Sequence, residues 1–143
     1  MEGVEVAEWP HRQVNETYAP VLGVNIVGPA GNFPAEGELP VRLDTGYEGF
    51  LLVSEDLYRR LRLRLSEMPK EMWATGRTVT GETLILRRAH VMIQVPKAKI
   101  MLEGYGETFR GNTEDLLGLR FLEAIKISLN GPEKKTYLHQ PTL

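Results

Sequence analysis

In the stretch 39–52, LPVRLDTGYEGFLL, an apolar strand runs directly into Asp44, Thr45 and Gly46. Asp is a poor strand former and is costly to bury without partners, so a strand that delivers a carboxylate into a turn suggests a purpose beyond the turn itself. In isolation the tripeptide is also ordinary turn chemistry, since Asp followed two residues later by Gly is a common pairing. A working carboxylate needs further parts, and they must come from elsewhere in the chain.

The 143 residues fit one domain spanning 1–143, with residues 1–16 as an N-terminal arm that packs on the body or on a partner. The formal net charge of -2, with acids and bases intermixed, argues against nucleic acid or an anionic membrane as a partner. The absence of cysteine excludes disulfides, thiolate zinc sites, iron–sulfur clusters and a Cys nucleophile. His11, His90 and His139 lack ligand spacing, and Ser54, Ser66 and Ser128 lack a GxSxG context, so no metal, no cofactor and no serine nucleophile is expected. An acidic, polar start and the lack of a long apolar window lead to the expectation of a cytoplasmic protein.

The periodicity is mostly that of strands. Residues 18–27 read as a first strand, joined through the Gly/Pro-rich GNFPAEG segment to a second at 39–43, and 50–53 as a third. Ser54 followed by Glu55 and Asp56 marks a helix start of about two turns. The alternation LRLRL at 61–65 predicts a half-buried strand with one wet side, and the densest basic run, Arg59, Arg60, Arg62 and Arg64, reads as solvated outward faces in preference to an anion site. Residues 78–86 and 89–95 predict two strands separated by Arg87 and Arg88, with Gly76 and Gly81 bracketing a hairpin tip that is either mobile or a plain surface turn. A short strand at 100–102 then precedes a Gly-rich connection at 104–113 that lacks nucleotide-binding spacing. Leu116 and Leu117 lead through Gly118 into a helical spacing of Leu119, Leu122 and Ile125, and the chain closes with 127–129, a turn at Asn130, Gly131 and Pro132, and an edge strand at 134–138.

Two carboxyls held close share one proton, so the pair supplies a base and an acid together and can activate water against a peptide carbonyl without metal. Only Asp44 sits at the end of a strand before a small hydroxyl residue and glycine; Asp56 and Asp115 do not. A catalytic Asp44 therefore requires Asp44 of a second copy across a two-fold axis, with Thr45 reaching across that axis and Gly46 letting its N–H approach the carboxylates.

Asp44-Thr45-Gly46 after an apolar strand, the glycine-bearing hairpin at 76–81 and LLGLRFLEAIKISL from Leu116 resemble, in that order, the retropepsin-like aspartic proteases. The resemblance covers 18–138. It implies a mainly β, retropepsin-like acid protease fold, a closed or partly closed barrel with a flap hairpin and a short C-terminal helix. It also implies a homodimeric aspartic endopeptidase without cofactor, in which water is activated between two Asp44 carboxylates. An extended peptide or protein substrate would lie under flaps that contribute Thr75, Gly76, Arg77, Thr78 and Gly81, and a terminal segment, 134–138 or the N-terminal arm, would build the dimer sheet. The chain departs from the retroviral pattern at Tyr47, either a core or interface residue or one that narrows the cleft. The alternative is a peptide-binding or dimerisation module of the same fold with weak or no catalysis. Gly46→Ala is expected to abolish cleavage by adding a Cβ in the catalytic turn, and retained turnover of a peptide substrate would contradict that role.

Overall fold

The computed structural model describes residues 5–14 and 16–140. Its centre is β4 (Val21–Gly28), VLGVNIVG, whose first six residues are all buried because strands flank it on both edges and packed side chains cover both faces. The preceding segments are β1 (Glu5–Pro10), β2 (Arg12–Val14) and β3 (Thr17–Ala19). The strand expected at 18–27 is thus broken at Pro20, whose ring removes a ladder donor. After β4 the chain turns back as β5 (Gly31–Phe33) and then β6 (Leu39–Leu43), both antiparallel to β4. The expected pair with a Gly/Pro connection is present, and the connection itself supplies β5.

Beyond the Asp44 turn lie β7 (Leu51–Leu52) and α1 (Glu55–Arg60). Ser54 caps this helix as expected, its Oγ accepting the Leu57 N–H at 3.1 Å, and Glu55 and Asp56 occupy the first turn. The LRLRL strand does not form. Helix α1 is closed by Leu61, Arg62 takes the left-handed region (φ 52°), and a 3-10 turn, Leu63–Ser66, follows. Leu61 and Leu63 still face inward and Arg62 and Arg64 outward, but Leu65 is 67% exposed, so the alternation holds only as far as Leu63.

The hairpin is β8 (Ala74–Arg77) with β9 (Thr83–Val95), and β9 is one strand of thirteen residues. Arg87 and Arg88 do not interrupt it, since each finds partners on its own side of the sheet. The first strand of the expected pair also starts later, because Thr78 and Gly81 close a tight turn in which the Gly81 N–H donates to Thr78 O at 3.0 Å with Gly81 at φ +90°. Strand β10 (Ile100–Thr108) extends through the glycines expected to form a loop, and pairs along its whole length with β9. Gly104 is used there for packing, since a Cβ would run into the Phe50 ring.

Strand β11 (Leu116–Leu117) and α2 (Leu119–Leu122) form the expected strand–glycine–helix unit, with a helix of four residues only. The barrel runs β4-β6-β11-β7-β10-β9 and closes through the β9–β4 pairing, giving a mainly β fold built on six closed strands. Leu22, Ile26, Leu51, Ile93, Leu117 and Phe121 fill it.

The final hairpin, β12 (Lys126–Asn130) and β13 (Lys135–His139), joins β1 in a second sheet of order β1-β13-β12. The edge strand expected at 134–138 is thus the central one: it pairs on both sides within its own chain. The N-terminal arm packs on the body through β1, with Ala7 and Trp9 buried in the core, although residues 1–4 and 15 lie outside the described set. Trp9 Nε1 donates to Glu38 at 3.2 Å. Trp9→Ala is expected to destabilise the protein by about 3–5 kcal/mol in urea unfolding, as for other buried aromatics cut to Ala.

Candidate active site

Strand β6 places Asp44 at the mouth of the barrel because β11 holds its end. Leu116 and Leu117 pair in parallel with Arg42 and Leu43, and the Asp44 N–H donates to Leu117 O at 3.0 Å. The same two leucines pair antiparallel with β7 on the other side. The loop from Asp44 to Gly49 is therefore strapped between two strands separated by one that arrives from the far end of the chain. Its remaining backbone groups are met by the following turn, where Leu119 N–H donates to Tyr47 O at 2.8 Å and Arg120 N–H to Gly49 O at 3.1 Å.

The Asp44 carboxylate is partly exposed. Its Oδ1 accepts the Gly46 N–H at 2.8 Å, and its Oδ2 lies 3.9 Å from Arg42, which also reaches Glu114 at 3.6 Å. Gly46 thus serves the carboxylate of its own chain, and a Cβ there would stand 3.0 Å from Asp44 Oδ1. Thr45 is exposed at the tip of the turn.

A cleft of about 680 Å³ brings Asp44 and Gly46 together with Thr75, Gly76 and Arg77 of the β8–β9 hairpin. Thr78 and Gly81 do not line it. They sit in the hairpin tip, where Thr78 Oγ1 accepts the Glu82 N–H at 3.1 Å and Val79 projects fully into solvent.

The floor of the cleft holds a charged group that was not singled out from sequence. Glu107 on β10 is 1% exposed, and it accepts two hydrogen bonds from Arg88 on β9, at 3.0 and 2.9 Å, and one from the Tyr47 hydroxyl. The Arg88 guanidinium lies 4.1 Å from the centre of the Tyr105 ring. Removing one partner of such a buried pair strands the other charge, which typically costs about 3–5 kcal/mol. Tyr47 is therefore a structural residue: burial, then the neighbouring Glu107 charge, pushes its phenol well above the usual range, so it remains a neutral donor. Glu107 lay hidden in a Gly-rich stretch that reads as a loop. The one available signal was the strand alternation of Glu103, Tyr105 and Glu107.

Gly118 makes this arrangement possible. Its N–H donates to Phe50 O at 3.0 Å, and a Cβ on it would collide with the Gly49 carbonyl oxygen and stand 2.6 Å from Tyr47 Cδ2. Gly118→Ala is expected to cost about 1–3 kcal/mol or more, because backbone atoms cannot yield as side chains do. Denaturant unfolding compared with the wild type measures this.

No family model matches the sequence. Among solved structures, the fold is similar to that of EIAV protease in complex with the inhibitor HBY-793, with a TM-score of 0.53 at 19% identity, covering 79% of this chain and 93% of the protease chain. That likeness identifies the fold as retropepsin-like. An uncharacterized protein of Archaeoglobus fulgidus is 34% identical over 115 residues, 78% of this chain and 86% of the archaeal one. The chain thus belongs to the same family as this archaeal protein, and it carries a retropepsin-like barrel.

Proposed function

We propose that the protein is a retropepsin-like aspartic endopeptidase that works as a homodimer. One observation carries the reading: Asp44 stands at a cleft facing the β8–β9 hairpin, on a loop strapped by the Leu117–Gly118 turn. One chain supplies one such carboxylate, so the site is complete only when the Asp44 loops of two copies meet. The two carboxyls then share a proton; the ionised one takes a proton from water as it attacks the scissile carbonyl, and the protonated one donates to the developing oxyanion. In this reading Thr45, exposed at the loop tip, bonds across the axis. Thr75, Gly76 and Arg77 contact an extended peptide lying along the cleft, and the hairpin with Thr78 and Gly81 at its tip closes over it as a flap.

The terminal strands are hydrogen-bonded within one chain, so they do not need a partner to complete their sheet. The dimer contact then falls to the Asp44 loops and to hairpin tips that expose Val79.

A specific contact favours the second reading, a peptide-binding module of the same fold. Arg42 lies 3.9 Å from Asp44 and 3.6 Å from Glu114, so the carboxylate already faces a cation of its own chain. Cleavage of a peptide library across pH separates the two. The enzyme is expected to cleave at acidic pH, with Asp44→Asn lowering kcat/KM by on the order of 10³-fold or more. Peptide binding by both forms, with turnover by neither, assigns the module. Sedimentation as a monomer at assay concentration removes the shared dyad.

A further inference from the structure

On the opposite side of the β9–β10 ladder from the cleft lies a second cavity of about 530 Å³, and its lining gathers the arginines of the basic run. Arg59 comes from α1, Arg62 from the left-handed residue after it, Arg64 from the 3-10 turn and Arg87 from β9. The two cavities share adjacent rungs of one ladder. Glu107 pairs with Arg88 and serves the cleft, while Thr108 pairs with Arg87 and serves this cavity, since successive residues of a strand face opposite sides.

Four arginines stand here against one lining carboxylate, that of Glu55, which already accepts the Gly111 N–H at 2.8 Å. Arg87 is paired through its Nε with Glu67 at 2.7 Å and lies over the Tyr58 ring at 5.3 Å, while among the described residues its two terminal amines have no hydrogen-bond partner. Arg59 has a 4.0 Å contact with Asp56 in which both side chains are largely exposed, a pairing too weak to hold it. Arg62 and Arg64 have no acidic partner among the described residues. Independently of these charges, Thr108 is 3% exposed and its hydroxyl is buried without a hydrogen-bond partner. A buried hydroxyl left unpaired costs free energy, and Thr108 is one of the residues lining the cavity that the arginines surround.

We infer that this cavity binds a small phosphate-bearing molecule carrying more than one negative charge. Guanidinium forks match phosphate oxygens two at a time, and the Thr108 hydroxyl supplies one further donor to the same group. The volume falls within the roughly 300–1,000 Å³ typical of small-ligand sites. A nucleic-acid strand would need an extended basic stripe, whereas this site is a concave cluster on a chain of net charge -2. Leu65, 67% exposed on the rim, and Tyr58 give the wall an apolar side suited to the organic part of a phosphate ester. This assignment does not depend on peptide hydrolysis.

Titration calorimetry of the full chain with inorganic pyrophosphate and with ADP, at low and at physiological ionic strength, tests it. Saturable binding of one ligand per chain is expected. A tighter fit for ADP points to the Leu65 and Tyr58 wall, and equal affinities place recognition in the phosphates; both support the site. Arg62→Ala with Arg64→Ala is expected to weaken binding more than about tenfold. Thr108→Val is expected to weaken it several-fold, with its far-UV circular dichroism unchanged, and Lys126→Ala on the distant β12 should leave it unaltered. Absence of saturable pyrophosphate binding overturns the proposal, as does binding of citrate in its place. Losses as large in Lys126→Ala as in Arg64→Ala also overturn it, since they indicate diffuse attraction. Because Arg64 is exposed, its single substitution provides the comparison even if Thr108→Val does not fold.

Discussion

The structure depends on the insertion of β11 between β6 and β7. These two strands follow one another in sequence. Leu116 and Leu117 enter between them, parallel to one and antiparallel to the other. The segment 44–50 must then pass around the end of the inserted strand, which forces its backbone groups toward the barrel mouth. They are satisfied by Leu117, Leu119 and Arg120, whose own groups come from the same insertion. Closing so long a loop is entropically costly, and the burial of Leu51, Leu117 and Phe121 offsets that cost.

A second layer supports the first from below. Glu107, Arg88 and Tyr47 form a charged, hydrogen-bonded group between the hairpin strand β9, the barrel strand β10 and the Asp44 loop. Such a group stabilises a unique geometry only when each member is satisfied, because in a low-dielectric interior an unpaired charge is heavily penalised. The Tyr47 ring packs against Gly118 and its hydroxyl completes the Glu107 coordination, so this side chain braces the loop.

Strands β9 and β10 line both the Asp44 cleft and the arginine-lined cavity. Arg88 and Glu107 point to one face, and Arg87 and Thr108 to the other, so a change in the spacing of this ladder would be felt on both sides. On the cleft side Arg88 is paired with the buried Glu107. On the other side the lining arginines outnumber the lining acids, and the Thr108 hydroxyl is buried without a hydrogen-bond partner.

The sequence by itself determined the β-rich class, the strand 39–43 ending in Asp44, the Ser54 cap, the hairpin bracketed by Gly76 and Gly81, and the Leu-Leu-Gly-helix unit. Each is written in local signals of period, cap or turn. It also determined that Leu61 and Leu63 face inward, though not that the backbone there is a 3-10 turn, because alternation specifies faces and a strand additionally needs a free edge to pair with. Only the tertiary structure decided that β13 is central, that β9 runs unbroken through Arg87 and Arg88, and that Glu107 is buried among them. Those outcomes rest on partners distant in the chain: β1 and β12 for the first, Glu67 and Glu107 for the second, Arg88 and Tyr47 for the third. A charged residue in a strand is legible as exposed or misplaced until its partner is known, and that partner is fixed by how the barrel closes, not by the neighbouring sequence.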